Sequence, residues 1–150
     1  MHVELTNVAL VGVGARADLQ KMSAQGMSAE NIKMNISTSL LFPRPGHVEC
    51  MVTLESESSS DAVRLKATYQ GSFTLSTDRE LVDEDQRAIS AACTAKIFPY
   101  LREFIADVTR RLPLTSPLVL SPALGDEKAL IEQIVVRPNE QPEPDGEKVQ

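Results

Sequence analysis

The ten residues Lys96-Ile97-Phe98-Pro99-Tyr100-Leu101-Arg102-Glu103-Phe104-Ile105 lie in the middle of the stretch from Val82 to Pro122 and decide the fold. Apolar side chains recur here every three or four residues, the period of a helix with one apolar face. Acids at 83–85 precede the pattern and Arg110-Arg111 end it, and both placements suit the helix dipole. Leu112-Pro113 stops the pattern, because the residue before a proline is disfavoured in helical geometry. The periodic residues are Ile97, Leu101, Phe104, Ile105, Val108 and Leu112.

Pro99 lies inside this periodic run. A proline in a helix interior lacks the backbone donor and crowds the carbonyl four residues earlier, at a cost of about 3 kcal/mol. The stretch therefore predicts either one helix kinked near Pro99 or two helices that meet there, with Pro99 in the first turn of the second.

Three segments before the helix alternate apolar and polar residues, the pattern of half-buried strands. They run from Ile32 to Leu40, from Val48 to Leu54, and from Val63 through Tyr69 to Leu75. The connections Phe42–Gly46 and Glu55–Asp61 are short, so the three strands are predicted to be antiparallel neighbours.

A fourth strand is predicted in the segment Val3–Arg16, whose residues Val8–Gly14 are apolar and partly β-branched. Gly12 and Gly14 lack the third glycine of a dinucleotide-binding loop, so they indicate a bulge or a strand end. The predicted class is α+β, with a four-stranded antiparallel sheet that carries the long kinked or broken helix and a short C-terminal helix, from Asp126 to Val135, on one face.

Two motifs resemble the SecB family of protein-export chaperones. Phe98-Pro99-Tyr100-Leu101-Arg102-Glu103, about two further helical turns, and the segment Pro117–Pro122 follow each other as in that family. Upstream, Gln70-Gly71-Ser72-Phe73 resembles the Gln-Gly-x-Phe strand of the family, at a similar spacing. The resemblance covers roughly Val48 to Pro122, which is half of the chain.

The resemblance implies a holdase that works without ATP, a homotetramer built as a dimer of dimers, and clients that are unfolded or nascent proteins on the export route. It also implies that the motor protein SecA docks on the exposed sheet face. Arg64 and Lys66 stand where the family usually has an apolar residue and a glutamate, which disfavours SecA. A SecB-like chaperone of the antitoxin of a toxin–antitoxin pair is therefore a second form of the same hypothesis.

The predicted client-binding residues are large apolar side chains near prolines and in the loop Ala17–Asn31, which crosses between the first two predicted strands. Prolines deny local backbone pairing and keep neighbouring grooves open, and methionine suits promiscuous contact. Core packing is an equally weighted alternative for Phe98, and a surface loop without function is the alternative for the methionines. The candidates are Met22, Met27, Phe42, Phe98 and Tyr100.

The composition excludes several classes of partner. The 150 residues carry a net charge of −6, which argues against nucleic acid and anionic membranes. No apolar run approaches the roughly 20 residues of a membrane span, and the N-terminus lacks the pattern of a signal peptide. These features predict a cytoplasmic protein, in which Cys50 and Cys93 are buried free thiols.

No residue pattern predicts catalysis, a cofactor or a metal ion. His2 and His47 have no partner at metal-ligand spacing. A nucleophile pair of Cys50 with His47 is disfavoured, because three residues along a strand put the two side chains on opposite faces. A non-enzyme is therefore predicted, with a small α+β enzyme or ligand-binding domain of unreadable site as the alternative. A single domain is expected over residues 1–136, followed by a disordered acidic tail over 137–150.

Overall fold

The computed structural model describes residues 1–18, 32–58, 63–111, 120 and 125–133. Four strands and two helices follow one another along these residues. The strands are β1 (His2–Ala17), β2 (Ile32–Arg44), β3 (His47–Ser58) and β4 (Val63–Ser76), and the helices are α1 (Asp83–Arg110) and α2 (Glu127–Gln133). The expectations for Met22, Met27 and the tail fall outside the described residues.

The strands form one antiparallel sheet in the order β1-β4-β3-β2. β2, β3 and β4 pair in sequence as their short connections predict, and β1 pairs with β4 to complete the sheet. The turn from β2 to β3 is closed at Gly46, whose φ of +77° favours glycine. The bulge expected near Gly12 is confirmed, since the β1–β4 register shifts between Leu10 and Gly12.

α1 is a single helix of 28 residues, about 42 Å long, with Pro99 inside it. Of the two alternatives left open by the sequence, two separate helices are therefore wrong. The helix begins at Val82, whose backbone N–H donates to Asp85 Oδ2 at 2.8 Å. Arg79 donates to both oxygens of the same carboxylate at 2.7 Å. Asp85 thus fixes both the first turn of α1 and the chain that leads into it.

The hydrophobic core lies between α1 and the face of the sheet that it covers, here called the inner face. Gly71 on β4 permits the close approach, because a Cβ atom there would meet Ile97 Cδ1 at 2.8 Å and the Phe73 ring at 2.7 Å. Cys50 on β3 and Cys93 on α1 are free thiols with no exposed surface, as predicted. The hydrogen bond with Cys93, together with burial, raises the pKa of the Cys50 thiol well above its usual range, so the Cys50 thiol is a neutral packing group.

Candidate functional site: two apolar strips beside the long helix

One helix is too narrow to cover the whole inner face of the sheet. A helix with its side chains is about 10 Å wide, whereas four strands at roughly 4.8 Å spacing span about 19 Å. α1 accordingly buries the two central strands, whose inner residues Val48, Cys50, Val52 and Leu54 on β3 and Val63, Leu65, Ala67 and Phe73 on β4 are at most 4 % exposed. The two edge strands keep part of their inner face open.

The first open region lies on β1. Leu10 is the register partner of Tyr69 and Val13 that of Ala67, so both point to the inner face with their β4 neighbours. Yet Leu10 is 40 % exposed and Val13 is 59 % exposed. We call the surface made by Leu10, Val13, Tyr69, Tyr100 and Phe104 the β1 strip.

Three aromatic rings line the β1 strip, Tyr69 from β4 and Tyr100 and Phe104 from α1. The Tyr69 ring lies 6.3 Å from the Tyr100 ring in a tilted arrangement and 6.3 Å from the Phe104 ring in an edge-on one. Burial, and then the negative charge of Glu103, raise the pKa of Tyr69, so its phenol stays neutral at physiological pH. Tyr100 is 41 % exposed. The strip therefore offers a neutral aromatic surface to an apolar partner.

The second open region lies on β2, the other edge strand. Four apolar side chains alternate along its inner face, are half-buried and pack against the core with the rest of their surface open. No charged residue, proline or glycine interrupts β2 between Met34 and Leu41. We call this surface the β2 strip; its members are Met34, Ile36, Leu40 and Phe42.

The motif Phe98–Glu103 holds the helix and the C-terminal segment in place around the β1 strip. Phe98 is 3 % exposed and lies under Gly125, where a Cβ atom would come within 2.3 Å of its ring. Arg102 Nε donates to the carbonyl oxygen of Leu120 at 2.9 Å, and Leu120 is itself buried. Within this motif, Phe98 therefore lies in the core, Arg102 holds the backbone at Leu120, and Tyr100 is open to solvent.

The three predicted client-binding residues that the structure describes, Phe42, Phe98 and Tyr100, do not form one continuous surface. Tyr100 belongs to the β1 strip and Phe42 to the β2 strip, and both are accessible. Their strips lie on opposite edges of the sheet. Phe42 is near the Val48 end of β3, whereas Tyr69, which Tyr100 contacts, pairs with Val52, about 13 Å further along. Phe98 is buried, so the core alternative holds for that residue.

Sequence reasoning missed the β1 strip apart from Tyr100. In the sequence, the other four members look like ordinary core positions of a strand or a helix: Leu10, Val13, Tyr69 and Phe104. Their periodicity predicts which face is apolar, but it does not predict whether another element packs on that face. The signal that could have revealed the strip is the number and size of the predicted helices compared with those of the strands. One long helix and one short one cannot cover four strands of 12 to 16 residues.

The opposite, outer face of the sheet is mostly polar, although Leu41 and Met51 are exposed on it. Arg64 and Lys66, the predicted partner-face residues, are exposed there, and Lys66 Nζ lies 3.2 Å from Glu55 Oε1. Glu49 accepts hydrogen bonds from Ser72 Oγ at 2.9 Å and from Gln70 Nε2 at 3.3 Å. The side chains of this face are exposed or half-buried, unlike those of the core.

The described residues contain no grouping of three His, Cys, Asp or Glu side chains that could hold a metal ion. His47 is an outer-face residue of β3 and Cys50 an inner-face one, so the Cys–His pair does not form in this part of the chain. None of the described helices is both long and apolar enough to cross a membrane. What the described surface offers is apolar area on one face and polar area on the other.

This arrangement, a four-stranded antiparallel sheet with one long and one short helix, is an α+β fold of the SecB-like kind. It is similar to that of the Mycobacterium tuberculosis Rv1957 SecB-like chaperone, solved in complex with a ChAD peptide from the Rv1956 HigA1 antitoxin. The TM-score is 0.57 and the sequence identity 18 %, over 79 % of this chain and 89 % of that one. The fold implied by the two sequence motifs is thereby confirmed.

A protein of unknown function from Streptococcus agalactiae is also similar, with a TM-score of 0.46 and 11 % identity over 81 % of this chain and 98 % of that one. No protein-family model matches the sequence, and no curated protein matches it.

Proposed function

We propose that this chain is an ATP-independent chaperone, a holdase that binds unfolded or nascent polypeptides through the β1 and β2 strips. The observation that carries the proposal is the mismatch between one helix and four strands, which leaves apolar side chains open along both edges of the inner face. Exposed apolar area is what a holdase needs, and it requires neither a nucleotide nor a catalytic group. The net charge of −6 favours solubility of the chaperone–client complex.

Two features of the strips suit clients of varied sequence. Tyr100 and Tyr69 present large rings with polar tips, which make apolar contacts and still tolerate water. Met34 on the β2 strip is unbranched and adapts to irregular surfaces. Such side chains bind apolar segments with little dependence on their exact sequence.

The antitoxin of a toxin–antitoxin pair is the client class that a specific observation favours. The Rv1957 chaperone, which shares the fold, was solved with a peptide from an antitoxin. Export of unfolded proteins is the other client route, and it depends on a SecA-type motor. Replacement of Lys66 by glutamate separates the two routes, because it restores the acid that the SecB resemblance implies on the outer face.

The holdase proposal is tested by the aggregation of a chemically unfolded model protein, followed by light scattering without ATP. Suppression is expected at a molar ratio near one client to one chaperone assembly. Absence of suppression at stoichiometric protein would favour the alternative of a small enzyme or ligand-binding domain.

A second assay tests the export route. Calorimetry at low salt compares the binding of a SecA-type motor to the parent protein and to Lys66→Glu. Absence of binding before and after the substitution would remove the export route.

A homotetramer of roughly 65 kDa, four copies of the 16.4 kDa chain, is proposed as the working assembly. Ile97, Leu101 and Ile105 of α1 have no exposed surface in the single chain, so these residues need no cover from another copy. Support for assembly comes instead from the open edge of β1, where Val11, which is not part of the β1 strip, is 50 % exposed. Sedimentation equilibrium at micromolar protein tests it, and a monomer mass would overturn it.

A further inference from the structure

The two cysteines of the chain lie against each other in the core, between the long helix and the sheet. Cys50 is on β3 and Cys93 on α1, both are free, and neither has any exposed surface. The Cys50 thiol is hydrogen-bonded to Cys93. The chain has no further cysteine, so a bond between two thiols of one molecule can join only these two residues.

The helix approaches the sheet closely beside this pair. Gly71 is the register partner of Cys50, and a Cβ atom at Gly71 would come within 2.8 Å of Ile97 Cδ1. Ile97 lies one helical turn after Cys93, on the same side of α1. The missing side chain at Gly71 therefore lets α1 approach the strand pair that carries Cys50.

A hydrogen bond between two hydroxyl groups sets the position of α1 across the strands. Thr94, the residue after Cys93, is completely buried, and its Oγ1 lies 2.9 Å from Thr38 Oγ1 on β2. Buried hydroxyls resist separation, because a lost partner leaves a polar group without compensation. A disulfide needs its two Cα atoms within about 7 Å of each other, and a helix held closely on the sheet favours such a separation.

We propose that Cys50 and Cys93 form a redox-sensitive pair, which closes into a disulfide when hydrogen peroxide reaches it and then ties α1 to β3. Cys93 is the first nucleophile, because the raised pKa of Cys50 disfavours its thiolate. The Cys93 sulfur attacks one peroxide oxygen, the O–O bond breaks, and the leaving hydroxide takes the thiol proton as water. The sulfenic acid so formed is attacked by the Cys50 sulfur, and a second water leaves with the Cys50 proton. The two thiols lose two electrons, which the peroxide takes up.

Burial determines when this reaction occurs. Because neither thiol has exposed surface, peroxide reaches them only when α1 separates transiently from the sheet, an opening that heat makes more frequent. The disulfide then closes a loop of roughly 40 residues and disfavours the unfolded chain. Neither cysteine belongs to the β1 or β2 strip, so the oxidised protein keeps its open apolar surface. The pair therefore stabilises the fold under oxidising conditions.

The test compares reduced protein with protein treated with hydrogen peroxide just below its thermal midpoint. We expect tryptic digestion and mass spectrometry to find one linked peptide pair, which contains Cys50 and Cys93. The thermal midpoint of the oxidised protein should rise by at least about 5 °C and return after treatment with dithiothreitol. Cys50→Ala and Cys93→Ala are the matched controls, in which peroxide should not raise the midpoint. They also report any effect of methionine oxidation, which dithiothreitol does not reverse.

Three results would overturn the proposal. The first is oxidation of the cysteines to sulfenic, sulfinic or sulfonic acid without a linked peptide pair. The second is a disulfide found only between different molecules. The third is a thermal midpoint that falls or stays unchanged when the linked pair forms, because the bond would then strain the fold instead of stabilising it. None of these readouts uses client binding, so they are independent of the proposed holdase activity.

Discussion

The central and edge strands of this sheet have similar apolar sequences on their inner faces but differ in what covers them. On β3, Val48, Val52 and Leu54 are completely buried under α1. On β1, Leu10 and Val13 point to the same side of the same sheet and are 40 % and 59 % exposed. The difference arises from the width of one helix and not from the residue types. Equal hydrophobicity therefore contributes to the core in one place and leaves apolar area open to solvent in the other.

The residues on either side of Pro99 repeat this contrast within one turn of α1. Phe98 lies under Gly125 in the core, whereas Tyr100 points to the Tyr69 ring and to solvent. Positions two residues apart on a helix differ by about 200°, so the Phe98 and Tyr100 side chains point in nearly opposite directions. Substitutions on the two sides of this division should therefore have separable effects on folding and on client binding.

The largest expected effect is that of a core substitution below the helix. Ile97→Ala removes a completely buried side chain that packs against Gly71 and Phe73. Deletions of this kind leave a cavity and cost about 2–5 kcal/mol. Urea unfolding should show this loss in the free energy of unfolding. Lys96→Ala, the exposed neighbour, is the control and should change it by less than about 0.5 kcal/mol.

The second expected effect separates binding from folding on the β1 strip. Tyr100→Asp puts a charge into a surface proposed to contact apolar client segments, and it should weaken suppression of aggregation about tenfold, or about 1.4 kcal/mol. Met51→Asp is the matched control, because Met51 is also 41 % exposed but lies on the outer face. Equal loss in the two variants would mean that clients do not distinguish the faces. The thermal midpoint of Tyr100→Asp should remain within a few degrees of the parent protein.

The third expected effect concerns the β2 strip, whose side chains are only half open. Phe42→Asp should weaken client binding tenfold, as for Tyr100. It should also lower the thermal midpoint, because the Phe42 ring packs partly against the core. Phe42→Leu keeps part of that contact. Its thermal midpoint should therefore be closer to that of the parent protein than its client affinity is. Client affinity unchanged in the folded fraction of Phe42→Asp would assign Phe42 to the core and place the client elsewhere.

The fold could be predicted because its signals are local. Alternation in β2, β3 and β4, short turns and the period of α1 each depend on neighbouring residues, and Gly71 marks the close approach of the helix. The candidate site could not be predicted as a whole, because exposure depends on which elements cover others. Phe98 and Tyr100 have similar sequence contexts, but Phe98 packs in the core under Gly125 and Tyr100 does not. Pro99 was misleading for the same reason, since packing of α1 on the sheet outweighs its local cost.

The smallest expected effect concerns the start of α1. It tests whether this turn contributes to the stability of the fold and not to client binding. Asp85 accepts hydrogen bonds from Arg79 and from the Val82 backbone, and these contacts hold the pKa of its carboxyl below the usual range. A depressed pKa in the folded state means that the carboxylate stabilises the fold at neutral pH. This contribution is lost as the pH falls below about 4, where the unfolded chain takes up the proton first.

Asp85→Asn keeps the shape of the side chain but cannot ionise. Its thermal midpoint should lie below that of the parent protein at pH 7, and the difference should shrink as the pH falls from about 4 through the folded-state pKa. Asp83→Asn, in the same first turn, is the control, because no described hydrogen bond to a side chain or the backbone depends on its carboxylate. A difference that stays constant down to pH 2 would show that Asp85 acts through packing alone. In either case client binding at pH 7 should be unchanged, because Asp85 lies in neither strip.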